Sequence, residues 1–221
     1  AVSGQVVGGR WKPLMHMFQN SLLRDVFATC GRDRQCFVKN DGMAPVDVDV
    51  KFEYWTLTEQ TPIHEWTHSA SLEGGVAATE RFELETTQLE RADVVLIRAQ
   101  EKTSGTIVMK DNAFLRTVPK DIPGLKHPVS IAIAVSQSSD GTAMVTLESD
   151  FVALYVTLTT VAQGRFSDNA LHLRPHLKHV IEFLPLKHGP PVDFQELTST
   201  LRVEHLGSYI GNLTTSAIAR V

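Results

Sequence analysis

The chain has 221 residues, 43% of them hydrophobic, 21% charged and 7% aromatic. That is length enough for one larger domain or for two of about 100 residues each. Lys+Arg total 21 against 25 Asp+Glu, a net charge of −4, so the basic footprint that neutralises phosphates or holds an anionic membrane is missing. Fourteen Gly and ten Pro exclude collagen-like and low-complexity chains, and two Cys are too few for a disulfide scaffold.

The stretch Ala1 to Gly9 lacks the basic and then apolar regions of a signal peptide. No apolar run approaches the roughly 18–20 residues of a membrane span. No Met opens the chain, and the expectation is a piece of something longer. Trp11, Leu14, Met15, Phe18 and Leu22 recur at helical spacing and predict one amphipathic helix from Trp11 to Leu23, with Pro13 in its first turn. Cys30 and Cys36 flank a short turn between strands, which leaves a cross-hairpin disulfide and two free thiols both open.

From Val46 the period becomes two. Val46, Val48, Val50, Phe52 and Tyr54 alternate with Asp47, Asp49, Lys51 and Glu53, a strand with one face in a core and one in water. Phe82 and Leu84 repeat the pattern, Val94 to Ile97 reads as an interior strand, and Thr106 to Thr117 as another. Lys120 to Lys126 is a linker broken at Pro123-Gly124. Alternation then resumes at Val129–Val135, and Ser138–Gly141 supplies a turn. Further strands follow at Ala143–Leu147, Val152–Leu158, Ile181–Phe183 and Leu201–Val203. Short strands in two blocks, without alternating helices, predict an all-β chain of two sandwiches.

One motif has the form H-E-x-x-H: His64-Glu65-Trp66-Thr67-His68. On a helix it would place two imidazoles on one face for zinc, with the Glu activating a water. Here Pro62 precedes it and the flanks are strand-like. Residues four apart on a strand lie about 13 Å apart, too far for one ion bound at about 2 Å, so the expectation is a strand or hairpin with exposed histidines. His172, His176 and His179 cluster around Pro175 and read as a solvated loop. The Asp47/Asp49/Glu53 row reads as a solvated face. It does not read as the carboxylate pair a glycosidase needs. No phosphate loop, G-x-S-x-G elbow or C-x-x-C pair occurs. No catalytic, cofactor-binding or metal-binding residue is therefore assigned, and no cofactor.

Three stretches, in order, resemble known sequence. Gly8-Gly-Arg-Trp-Lys-Pro-Leu-Met-His16 is similar to the end of the catalytic barrel in family 2 glycoside hydrolases of the β-mannosidase type. Asp111 to Asp121 resembles the segment that closes the sandwich after that barrel. Gly164-Arg-Phe-Ser-Asp-Asn169, running on through Leu171–Pro175 to Phe183, is similar to the family's last domain, as is Leu201–Tyr209. Leu171, His172 and His176 depart from that pattern.

The resemblance implies two immunoglobulin-like β-sandwich domains in tandem, preceded by one helix left from a (β/α)8 barrel. Residues 1–23 would be the barrel stub, 24–119 the first sandwich and 120–221 the second. It implies a non-catalytic C-terminal portion, whose parent hydrolyses terminal β-D-mannose by a retaining mechanism with glutamates upstream of Ala1. The partners implied are that barrel and, through the parent, β-mannoside-containing glycans, with no nucleic acid and no membrane. A secretory or lysosomal route is implied too, and Asn212-Leu-Thr214 is a glycosylation sequon consistent with it. The alternatives are a zinc hydrolase using His64, Glu65 and His68, or a stand-alone carbohydrate-binding or adhesion sandwich. Three Trp and three Tyr leave the latter few sugar-stacking platforms.

Overall fold

A two-residue hydrophobic period puts alternate side chains on opposite faces of an extended chain, and burying one face needs a second sheet. The computed structural model meets that need twice. It describes residues 6–7, 10–75, 78–138, 142–186 and 189–210, with side chains from Trp11 onward. Gly8-Gly9, the Asp140-Gly141 turn and the Asn212 sequon lie outside the described residues. The chain divides into two units, residues 18–124 and residues 1–17 together with 125–221.

β1 (Val6–Val7) and β2 (Arg10–Trp11) form a small antiparallel pair with Val6 opposite Trp11. α1 (Pro13–Asn20) follows, with Pro at its first position. It is shorter than the periodicity predicts, because Trp11 is taken up by strand pairing before the helix begins. Its one buried residue is His16, whose ring lies 5.3 Å from that of Trp11. Leu14, Met17, Leu22 and Leu23 are exposed.

The first sandwich uses β3 (Val26–Cys30), β4 (Gln35–Asn40), β5 (Val46–Trp55), β6 (His64–Leu72), β7 (Ala78–Glu83), β8 (Val94–Glu101) and β9 (Ile107–Leu115). One sheet runs β3-β4-β7 and the other β6-β5-β8-β9. The even positions of β5, Val48, Val50, Phe52 and Tyr54, enter the core with Val38, Val95, Ile97 and Met109. Each such large side chain stabilises by about 1.5–3 kcal/mol on burial. Cys30 and Cys36 sit directly opposite on the β3–β4 hairpin and are disulfide-bonded. At the expected linker, short 3-10 turns cover Pro119–Asp121 and Pro123–Lys126. Gly124 is needed there: a Cβ would stand 2.3 Å from Asp93 Oδ2 and 2.9 Å from Leu57 Cβ.

The second sandwich uses β10 (Ile131–Gln137), β11 (Ala143–Ser149), β12 (Ala153–Thr159), β13 (Arg165–Phe166), β14 (Leu171–Leu173), β15 (His179–Leu184) and β16 (Arg202–Glu204). Its sheets run β10-β11-β15-β13 and β14-β12-β16. Val145, Leu147, Val156, Leu158, Ile181 and Phe183 fill the space between them. Between β15 and β16 lies α2 (Phe194–Thr200), a second helix that the period-two reading passes over. Asp193 caps it, accepting from the Glu196 amide at 2.8 Å. The signal is the D-x-x-E spacing of Asp193 and Glu196. The chain is all-β in architecture, two immunoglobulin-like sandwiches with two short helices among the described residues.

Candidate functional site

The H-E-x-x-H motif opens β6, an edge strand. Tyr54, Phe52 and Val50 lie opposite His64, Trp66 and His68 in register, so these three side chains share the inner face of the sheet. The histidines are half-buried rather than exposed, because the inner face of an edge strand is still roofed by the other sheet. His64 and His68 have 35% and 20% of their side-chain surface exposed. Glu65 points the other way and is exposed.

The roof is β7, edge strand of the other sheet. His68 Nε2 lies 2.7 Å from Glu80 Oε1, and its ring stacks on Phe82 at 3.9 Å and 11°. Phe82 also meets Trp66 and Phe52, at centroid distances of 6.0 and 5.9 Å. His64 Nε2 lies 3.3 Å from Glu85 Oε2, just past β7. The Tyr54 hydroxyl donates to the Glu85 carbonyl at 2.7 Å. Burial, and then the charge of Glu85, push that hydroxyl far above the usual tyrosine range, so it stays neutral. Each imidazole thus has its own carboxylate, and the zinc geometry fails for the strand-spacing reason. Among the described residues no group of three or more His, Cys, Asp or Glu converges to hold a metal ion.

His172, His176 and His179 do not form one loop. His172 is buried on β14, where its Nδ1 accepts from the Tyr155 amide at 3.2 Å. His176 occupies a turn at φ +59°, its amide donating to the Ser149 carbonyl at 2.8 Å. His179 begins β15, its Nε2 3.8 Å from Asp168 Oδ2. Pro175 breaks the run, so the three diverge. In the Asp47/Asp49/Glu53 row, Glu53 is buried instead of solvated. Trp55 Nε1 donates to it at 3.3 Å, and Arg98 pairs with it at 3.2 Å.

The segment Gly164 to Asn169 has a role in shaping the fold. A Cβ on Gly164 would lie 2.5 Å from the Phe183 ring, so no side chain fits there. The Ser167 amide donates to the Glu182 carbonyl at 2.8 Å, and the Glu182 amide donates to Ser167 Oγ at 3.0 Å. Asn169 accepts from the Leu158 amide at 2.8 Å and donates to the Leu158 carbonyl at 2.9 Å. Ala170 then turns at φ +54° with its amide on Asn169 Oδ1. Sequence reasoning passed over two further features of the same unit. Arg165 lies over the Trp11 ring, 5.2 Å from its centroid. His205 is buried, and burial outweighs the nearby charge of Asp150 to hold its imidazole below the usual range.

These polar residues tie strands together. Residues 125–209 match the family model Ig_mannosidase, an Ig-fold domain. The second sandwich is therefore the kind of domain that the Gly164–Phe183 resemblance named. Among solved structures, the chain is similar to the β-D-mannosidase of Dictyoglomus thermophilum, at 17% identity and TM-score 0.61, over 89% of this chain and 23% of that one. It is also similar to the exo-chitosanase CsxA of Amycolatopsis orientalis, at 14% identity and TM-score 0.53, over 82% of this chain and 26% of that one. At these identities the likeness shows the fold, and the chain spans about a quarter of each structure. No curated protein matches the chain.

Proposed function

We propose that the chain is the non-catalytic C-terminal portion of a β-mannosidase-like glycoside hydrolase of family 2. The parent would release terminal β-D-mannose by a retaining mechanism, and these sandwiches would support its barrel. Residues 1–23 would be the C-terminal stub, the last helix, of that barrel, 24–119 the first sandwich and 120–221 the second. The observation that carries the reading is the family match over residues 125–209, within a fold likeness that takes in most of this chain. The exposed Leu14, Met17, Leu22 and Leu23 around α1 support it, since a run of apolar residues in water marks a surface meant to be covered.

The deciding experiment uses nitrophenyl glycosides. The 221-residue chain should not turn over a nitrophenyl β-mannoside, and a protein extended upstream into a barrel should. Turnover by the chain alone overturns the proposal. Cleavage of the β-glucosaminide instead by the extended protein leaves the supporting role intact and moves the substrate.

A further inference from the structure

Two strands of two residues each do not hold together alone in water, where even a longer hairpin is marginal. The pair β1–β2, which precedes the first sandwich in sequence, therefore needs support from outside itself. Consecutive elements mostly settle beside one another, so the sandwich that begins at Val26 would be the expected support. The segment up to Met17 groups instead with residues 125–221.

We infer that the second sandwich is a clamp on the segment that leads into the first, closed by Arg165 on Trp11, and that through this segment it grips the domain lying before it. The inference rests on the reading of residues 1–23 as the end of a barrel, and it names the surface by which that barrel is held.

The clamp is built from both sides. At β13 the chain is pressed onto the core: a Cβ on Gly164 would stand 2.5 Å from the Phe183 ring, and Phe166 turns inward to lie 4.8 Å from the same ring. Alternation then sends the Arg165 side chain, between these two residues, outward. Ser167, bonded to Glu182 through its amide and its hydroxyl, fixes the strand just beyond. The guanidinium is thus carried on a strand with little freedom, and its carbon lies 5.2 Å from the centre of the Trp11 ring. Trp11 is held in turn. It ends β2, opposite Val6, and its ring lies 5.3 Å from that of His16, the buried residue of α1. Indole is the best aromatic partner for a cation, and a guanidinium the commonest cation on it. One contact therefore fastens the strand pair directly and the first turn of the helix through His16. The run from Gly164 to Asn169 divides accordingly. Phe166, Ser167 and Asn169 act inside the sandwich, and Arg165 acts on a segment that belongs to another part of the chain.

The test is amide hydrogen exchange on the 221-residue chain, with Arg165→Gln, Arg165→Lys and Trp11→Leu set against the wild type. Arg165→Gln should speed exchange in residues 10–17 about fivefold, the size of one such pair, and Arg165→Lys, which keeps the charge, should speed it less. Trp11→Leu should in turn speed exchange in residues 165–166 and 182–184. Residues 94–101 and 143–149 should stay as in the wild type, showing that both sandwiches remain folded. Unchanged exchange of residues 10–17 in Arg165→Gln overturns the clamp. So does a loosening spread over residues 143–159, which would make Arg165 a residue of its own domain's fold. In a protein extended upstream into the barrel, Arg165→Gln should lower the temperature at which the barrel unfolds by about 1–2 °C, and an unaltered temperature overturns the grip on that domain. None of these readouts needs a substrate. The clamp can fail while the extended protein still cleaves a β-mannoside, and it can hold in one that cleaves none.

Discussion

Along the β6–β7 edge of the first sandwich, side chains hold side chains: Trp66 on Phe82, His68 on Glu80. At the β12–β14 corner of the second, a side chain holds main chain: Asn169 takes both polar groups of Leu158. The difference bears on how each domain can vary. Apolar contacts accept many combinations of similar volume. A side chain bonded to both a backbone N–H and a C=O has few substitutes, because any other leaves buried groups without partners. The family match over residues 125–209 takes in that corner along with the rest of the second sandwich.

The comparison can be broken in four places. Phe52→Ala should be the costliest change, about 3–5 kcal/mol in urea unfolding, because it empties the contact between Trp66 and Phe82. Trp55 and Trp66 both lie in the first sandwich, so their fluorescence reports the loss. Asn169→Ala should cost about 2–3 kcal/mol by stranding the Leu158 N–H and C=O. The effect should appear as faster hydrogen exchange at residues 153–159 and leave the first sandwich unchanged. If Asn169→Ala were neutral, the second domain would rest on apolar packing as the first does.

Removing the disulfide by Cys30→Ser with Cys36→Ser should cost about 2 kcal/mol, since a loop closed over six positions constrains little of the unfolded chain. Thiol titration of the unreduced wild type should find no free sulfhydryl. The smallest effect should be that of His205. Its imidazole is held below the usual range, so on acidification the unfolded chain takes up the proton before the folded one. Stability of the second sandwich should therefore decline as pH falls below about 6.5, and His205→Gln should remove that part of the decline. An unchanged acid limb in His205→Gln would show that the buried imidazole is not its source.

Much of this was legible in the order of residues. The alternation over Val46–Tyr54 became β5, that over Ala143–Leu147 became β11, and Lys120–Lys126 became the turns between the sandwiches. The Gly164–Asn169 run pointed to its domain before any fold was seen. Less legible were segments whose pattern is short or mixed. β3 and β4 carry few alternating positions, and α2, at seven residues, is announced only by its cap.

The sequence by itself determined that this is a chain of strands in two blocks, with a mildly acidic composition. Periodicity and composition are local properties, and they decide which residues can face a core. Only the tertiary structure decided what each ionisable residue does. His64 and His68 came to lie inside an open sandwich edge, Glu53 under Trp55 and Arg98, and the three later histidines in separate places. The physical reason is that a charged side chain takes its role from partners far away in sequence, such as Glu80 across a sheet. Its own neighbours in the chain say only which way it points.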